Sequence, residues 1–266
     1  MICKDKTATS DLLDYHGVNC IRHRIFHGPK PGGYGRRDGN WRAMLAFLSD
    51  HPGGVVCKPN EGTGGNSVFL AKTPAQLEAA VHQVFSMSRS LCLSPFEVFE
   101  HEYRVALLAG GVQFVYRKVR PSLRGDGIRT VREHFMEFLG QCWNSSDTIA
   151  AVKSASELAI AWDSVPAAGT LVTLNWRHNL GQGAYPTMLT STEPAWEAVT
   201  ALAARAASVL GVELASVDIA ATPDGLKILE INSGIMMESL EKNHPDGPAL
   251  ARRFYDRILC AALGIV

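Results

Sequence analysis

Neither sign of charge is in excess: 26 Lys and Arg balance 26 Asp and Glu. No global field therefore draws the chain to nucleic acid or to an anionic membrane. No apolar run reaches membrane-spanning length, and the N-terminal MICKDKTATSD lacks the apolar core of a signal peptide. The six cysteines (Cys3, Cys20, Cys57, Cys92, Cys142, Cys260) form no CxxC pair, and the nine histidines form no HExxH. Thiols dispersed in this way predict a reduced, cytoplasmic protein and argue against a disulfide frame or a zinc site. Internal repeats and low-complexity segments are also missing, as is the GxxxxGK[ST] loop of a Walker-type nucleotide site. A chain of 266 residues, 46% hydrophobic and 20% charged, remains. That composition suits an ordinary soluble protein with a substantial core, as one large domain or two small lobes.

The most informative stretch is SVDIAATPDGLKILEINSG, Ser216 to Gly234. Val217, Ile219, Leu229 and Ile231 alternate with Asp218, Glu230 and Asn232, which predicts two strands joined at Thr222-Pro223-Asp224-Gly225. A turn centred on Asp224 puts 218 opposite 230, and a bulge moves that pairing by one residue. The apolar set then faces a core, while two carboxylates and an amide share the other face. Opposed side chains lie about 5 Å apart. Two carboxylates at that distance repel by roughly 3 kcal/mol at an effective dielectric near 20. Either the face is solvated, or a divalent cation supplies the missing charge. Oxygen-only ligands suit Mg²⁺ or Mn²⁺, which with few protein ligands usually carries phosphates as well.

Earlier in the chain, Asp5 or Thr7 is placed to cap a helix running to about His16, with Leu12 and Leu13 inward and Gly17 as its stop. Lys6 falls in its first turn, where a cation opposes the helix dipole, which points to a phosphate partner. Residues 20–42 are basic and glycine-rich, either a solvated loop or a reader of an anionic substrate. Trp41 to Leu48 reads as a short amphipathic helix. Val55-Val56-Cys57 reads as a buried strand ended by Lys58-Pro59. Gly62, Gly64 and Gly65 follow, then a second β-rich run from Ser67 to Ala71. On the residues alone this is equally a plain hairpin turn or a flap whose backbone N–H groups reach phosphates. A helix over Ala75–Phe85, two strands joined at Gly110-Gly111, helical sequence over 131–165 and an Ala-rich helix from Trp196 to Leu210 complete the pattern. The last segment, Pro248 to Leu263, reads as a closing amphipathic helix.

Taken in order, these pieces resemble the ATP-grasp superfamily, and within it carboxylate–amine ligases such as cyanophycin synthetase and the bifunctional glutathione synthetases. Asp5-Lys6 with Leu12-Leu13 matches the "DK…LL…G" start, and Lys58-Pro59 with the glycine run matches the phosphate lid. Glu102-Tyr103-Arg104 matches "[DE]YR". Arg120-Pro121, Gly125-Asp126-Gly127 and Thr130 match "RxPxxxxGDGxxT". Val217-Asp218 and Glu230-Ile231-Asn232 match the metal-binding Asp and "ExN". The resemblance covers nearly the whole chain.

It implies an α+β ATP-grasp fold, two lobes with nucleotide between them. Residues 20–98 would form the lid-bearing lobe, and 1–19 with 99–266 the metal-binding lobe. Lys6 and Lys58 would bind the α- and β-phosphates, and Glu61, Gly62, Gly64, Gly65 and Ser67 would belong to the lid over the γ-phosphate. Glu97 and the backbone near Phe99 would hold adenine, with Glu102 on the ribose. Asp218, Glu230 and Asn232 would carry Mg²⁺ (or Mn²⁺). Arg104, Arg177 and Asn179 would face the acyl phosphate. The implied reaction uses ATP to join a carboxylate and an amine, with an amino acid, a peptide or a peptide-like molecule among the substrates; the alternatives are a small-molecule kinase and a nucleotide-binding subunit without activity. Three departures stand out. The Glu97–Glu102 linker is short, Asn179 to Ala184 replaces "NxSTGG", and the extra α/β domain that relatives carry ahead of the first helix is absent. That last departure predicts a second copy of the chain, or a partner protein, closing the acceptor side.

Overall fold

A computed structural model describes residues 2–28, 39–62, 67–141, 158 and 160–265. In chain order the first elements are α1 (Lys6–Tyr15), β1 (Arg24–His27), α2 (Gly39–Ser49), β2 (Val55–Pro59), β3 (Phe69–Ala71), α3 (Pro74–Phe85) and β4 (Ser90–Pro95). Next come β5 (His101–Leu108), β6 (Gly111–Val119), β7 (Ser122–Arg124), α4 (Val131–Gln141), β8 (Leu171–Thr173) and β9 (Tyr185–Met188). The chain ends with α5 (Trp196–Leu210), β10 (Leu214–Thr222), β11 (Gly225–Asn232), α6 (Glu238–Asn243) and α7 (Gly247–Leu263). Two compact units result, Met1–Val115 with Thr190–Ile235 and Tyr116–Leu189 with Met236–Val266.

The first unit holds two antiparallel sheets. One has the order β1-β4-β2-β3, and Met44, Leu48, Leu77 and Val84 of α2 and α3 pack against its Phe26, Val55, Cys57, Leu91 and Leu93. Burying each such aliphatic side chain is worth about 1.5–3 kcal/mol. α3 starts on a capping box: Thr73 accepts from the Gln76 N–H while the Gln76 side chain accepts from the Thr73 N–H. In the other sheet β10 lies between β11 and β5. α5 packs against these strands, and its Val199, Ala203 and Ala206 are fully buried. Asp5 is the cap of α1, accepting from the Ala8 N–H at 2.8 Å.

The β10–β11 hairpin departs from the expected turn. Thr222 pairs with Gly225, so the turn is the two residues Pro223-Asp224 rather than one centred on Asp224, and Gly225 takes φ +111°. Between the 219–228 and 218–230 pairs a bulge leaves Leu229 without a register partner, and that extra residue restores Asp218 opposite Glu230. One apolar assignment moves as a result. Ile228, 2% exposed, joins Val217, Ile219 and Ile231 in the core, and Leu229 is only half-buried.

The second unit contains the second half of β6 paired with β9, and the β7–β8 hairpin packed on α4. Of the helix expected over 131–165, Val131–Gln141 is α4; 142–157 and 159 lie outside the described residues, and 160–165 is not helical. The carbonyls of Ser164 and Trp162 instead accept from the Val131 and Arg132 N–H groups, satisfying the start of α4 from another segment. Trp162 packs on Phe135, ring centroids 5.0 Å apart, and Pro166 follows where a helix would have to continue. At the Gly125-Asp126-Gly127 turn, Asp126 accepts from the Ile128 and Arg129 N–H groups at 2.9 and 2.8 Å. A Cβ on Gly125 would meet the Ala167 carbonyl oxygen at 2.6 Å, so only glycine fits there.

Candidate active site

The start of α1 is stitched to the end of β2. Asn60, 1% exposed, accepts from the Thr7 N–H at 3.2 Å and the Thr7 hydroxyl at 2.8 Å, and its carbonyl accepts from the Lys6 N–H. This joint fixes where Lys6 points. Its Nζ donates to the Gly62 carbonyl at 2.8 Å and lies 3.6 Å from a Glu230 carboxylate oxygen. A cation in the first helical turn, 8% exposed, is thus held by a loop carbonyl and a strand carboxylate. Lys6, Gly62 and Glu230 come from three separate stretches of sequence, and the fold brings them together. Asn60 carries the joint and was not singled out from sequence; its only signal is its place in the Lys-Pro-Asn-Glu-Gly run.

Asp218 and Glu230 are register partners on β10 and β11, as the sequence pattern required. Arg104 is opposite Asp218 on the other neighbour, β5. Its Nε and Nη2 donate to the two carboxylate oxygens at 2.7 and 2.6 Å, a bidentate pair on a side chain only 8% exposed. The polar face of the hairpin is therefore not a solvated outer face. The roughly 3 kcal/mol repulsion expected of the two acids is offset here by Arg104 and Lys6. Asn232 is the register partner of Ser216. Asp218, Glu230 and Asn232 offer only oxygen ligands from neighbouring strands, a donor set that fits a hard divalent cation. No cluster of three His, Cys, Asp or Glu is present among the described residues, so Asn232 or phosphate oxygens would have to complete the shell.

Elsewhere in the first unit, Lys58 is half-buried on β2 with Cys92 as register partner, and Glu61 and Gly62 are exposed, Gly62 at φ +145°. Ser67 takes φ +58°, and its hydroxyl lies 3.9 Å from the Met87 sulfur. Gly64 and Gly65 lie outside the described residues. Glu97 grips Lys227 of β11 through both oxygens, at 2.7 and 2.8 Å. Burial of that ammonium works downward, but the Glu97 carboxylate holds its pKa above the ordinary lysine value. Sequence reasoning missed Lys227. Phe99 is half-buried, and Glu102, 8% exposed, is the register partner of Ala220.

Arg177 and Asn179 belong to the second unit. The Arg177 guanidinium carbon lies 4.4 Å from the centroid of the Trp176 ring, and the Arg177 backbone N–H donates to the Asn175 side-chain oxygen. Asn179 caps the short turn Leu180–Gln182, accepting from the Gly181 N–H at 2.8 Å.

Helices packed on antiparallel sheets make the architecture α+β, a fold shared with solved ATP-grasp ligases. Solved structures agree on the fold. The D-alanine–D-alanine ligase from Bacillus anthracis superposes with a TM-score of 0.55 at 13% identity, over 87% of this chain and 57% of that one. The ATP-grasp ligase PsnB in complex with its minimal precursor gives 0.51 at 14% identity, over 93% and 58%. By sequence the chain is similar to cyanophycin synthetase of Nostoc, 26% identical over an alignment 248 residues long that covers 88% of this chain and 26% of that protein. It is also 26% identical, over an alignment 190 residues long, to the glutathione biosynthesis bifunctional protein of Listeria monocytogenes, with 66% of this chain and 24% of the relative covered. The chain thus spans about a quarter of the length of these curated relatives. No protein-family model matches it.

Proposed function

We propose that the chain is an ATP-dependent carboxylate–amine ligase. The observation that carries this reading is the opposed Asp218–Glu230 pair, with Arg104 on one acid and Lys6 beside the other. Lys6 and Lys58 bind the α- and β-phosphates, and the loop beginning at Glu61 and Gly62, with Ser67 at its far end, covers the γ-phosphate. Glu97 and the backbone near Phe99 hold adenine, and Glu102 the ribose. The sheet built by residues 20–98 acts as the lid-bearing lobe. Asp218, Glu230 and Asn232 hold Mg²⁺, which when bound neutralises phosphate charge.

The substrate carboxylate attacks the γ-phosphorus and ADP leaves. The amine nitrogen then attacks the acyl carbonyl, phosphate leaves, and the amine gives up a proton. No protein nucleophile takes part. Arg104, Arg177 and Asn179 orient the acyl phosphate and hold its negative charge, so catalysis is positioning and charge stabilisation. Similarity to enzymes named for cyanophycin and glutathione synthesis supports an amino acid or short peptide as the carboxylate. The test is ADP release across carboxylate–amine pairs, with products identified by mass spectrometry. An amide is expected, and Glu230→Gln should stay folded while ADP release falls at least about 100-fold. Accumulation of a phosphorylated substrate without amide makes the protein a kinase. Turnover of Glu230→Gln within a few-fold of the parent removes the hairpin from the site.

A further inference from the structure

The first four N–H groups at a helix start lack partners within the helix. In α1 the protein itself meets all of them. The Ile2 carbonyl accepts from the Asp5 N–H at 2.9 Å, and the Asp5 carboxylate accepts from the Ala8 N–H at 2.8 Å. The other two go to Asn60: its carbonyl takes the Lys6 N–H at 3.2 Å, and its side-chain oxygen takes the Thr7 N–H at 3.2 Å. That same oxygen also accepts from the Thr7 hydroxyl at 2.8 Å. No backbone donor at this helix start is left for a phosphate. The first turn of α1 therefore meets an anion through the Lys6 ammonium, and the placement of that group decides the contact.

The buried face of α1 is built for placement. Of its buried residues, Lys6, Thr7, Thr9 and Ser10 are polar, and Leu13 alone is apolar. The Thr9 hydroxyl donates to the Ile2 carbonyl and the Ser10 hydroxyl to the Thr7 carbonyl, both at 3.0 Å. Ser10 in turn accepts from the His23 N–H at 3.2 Å. Ser and Thr are poorer helix formers than Ala or Leu. Their hydrogen bonds are directional, so they fix a helix along its axis more tightly than apolar contact does. Asn60 is anchored too, its N–H donating to the Ser90 carbonyl at 3.3 Å. Its side-chain nitrogen is buried without a partner, a desolvation cost that a residue kept for packing alone would avoid.

We propose that Asn60 and Thr7 are positioning residues for phosphate binding. Together they set Lys6 and, through its 2.8 Å bond to the Gly62 carbonyl, the base of the glycine loop. This role rests on the reading of Lys6 as a phosphate ligand. Isothermal titration with Mg·ADP tests it on the parent, Thr7→Val, Thr7→Ser, Asn60→Ala, Lys6→Met and the double variant Lys6→Met with Thr7→Val. Thr7→Val removes one hydrogen bond with little change of shape, so it carries the test even where Asn60→Ala lowers the melting temperature. Thr7→Val should weaken Mg·ADP binding about threefold and Asn60→Ala about tenfold. Thr7→Ser, which keeps the hydroxyl, should recover the parent's affinity. In the Lys6→Met background Thr7→Val should cause no further loss, because it acts through Lys6. Parent-like binding by both Thr7→Val and Asn60→Ala overturns the positioning role and leaves the nucleotide reading standing. So does an additive loss in the double variant, which makes the joint structural only. No binding by the parent, or full binding by Lys6→Met, overturns the reading of Lys6 and the positioning role with it.

Discussion

Replacing Arg104 by glutamine should destabilise the protein through Asp218, and the size follows from burial. The Asp218 side chain is 8% exposed and that of Arg104 is 25% exposed. Removing one partner of a buried pair costs about 3–5 kcal/mol, because the other charge stays behind without compensation. Partial exposure of the guanidinium puts Arg104→Gln at the low end, about 3 kcal/mol. With an unfolding entropy of about 2.1 cal/mol/K per residue over 266 residues, the melting temperature should fall by about 5 °C. Adding Asp218→Asn to the same chain removes the stranded charge and should recover most of the loss, a coupling that a double-mutant cycle reads directly. Differential scanning calorimetry on the parent, both single variants and the double variant makes the measurement. Mg²⁺ should raise the melting temperature of Arg104→Gln more than that of the double variant, since only the former keeps the carboxylate. A fall below about 1 °C, or a double variant as unstable as Arg104→Gln, refutes the charge argument.

Two further predictions concern buried titratable groups. His23 is depressed in the folded protein, chiefly by burial, so below the unfolded-state pKa of about 6.5 the unfolded chain binds a proton that the native one does not. Stability is therefore unaffected above that pH and drops as pH falls, by up to about 1.4 kcal/mol per unit. Denaturant titrations between pH 7.5 and 5 (about 2.5 units) should show a smaller drop in His23→Gln than in the parent. Among the described cysteines, Cys57 is pushed up to about 12 by burial, and Cys92 is raised for the same reason, whereas Cys260 is exposed. Iodoacetamide at pH 8 should label Cys260 well before Cys57 or Cys92, with peptide mass mapping as the readout.

What the sequence determined by itself was local. Alternation with a period of two placed Asp218 and Glu230 on one face; Asp5 or Thr7 marked the helix start; and Thr222-Pro223-Asp224-Gly225 marked the hairpin turn. Each follows from neighbouring residues, whose geometry sequence spacing fixes. Tertiary structure decided the rest. The bulge at Leu229 shows the division: a turn centred wrongly by half a residue and one extra residue in the strand gave the expected 218–230 pair, yet sent Ile228 rather than Leu229 into the core. No local pattern announces that Arg104 will hold Asp218, 114 residues away, or that Lys227 will hold Glu97 across 130. Those pairs depend on strand order, with β10 between β5 and β11, and on an asparagine that ties a helix start to a strand end. The unpartnered ring of His23 is likewise invisible in sequence, because whether a buried nitrogen finds a partner depends on every element packed around it.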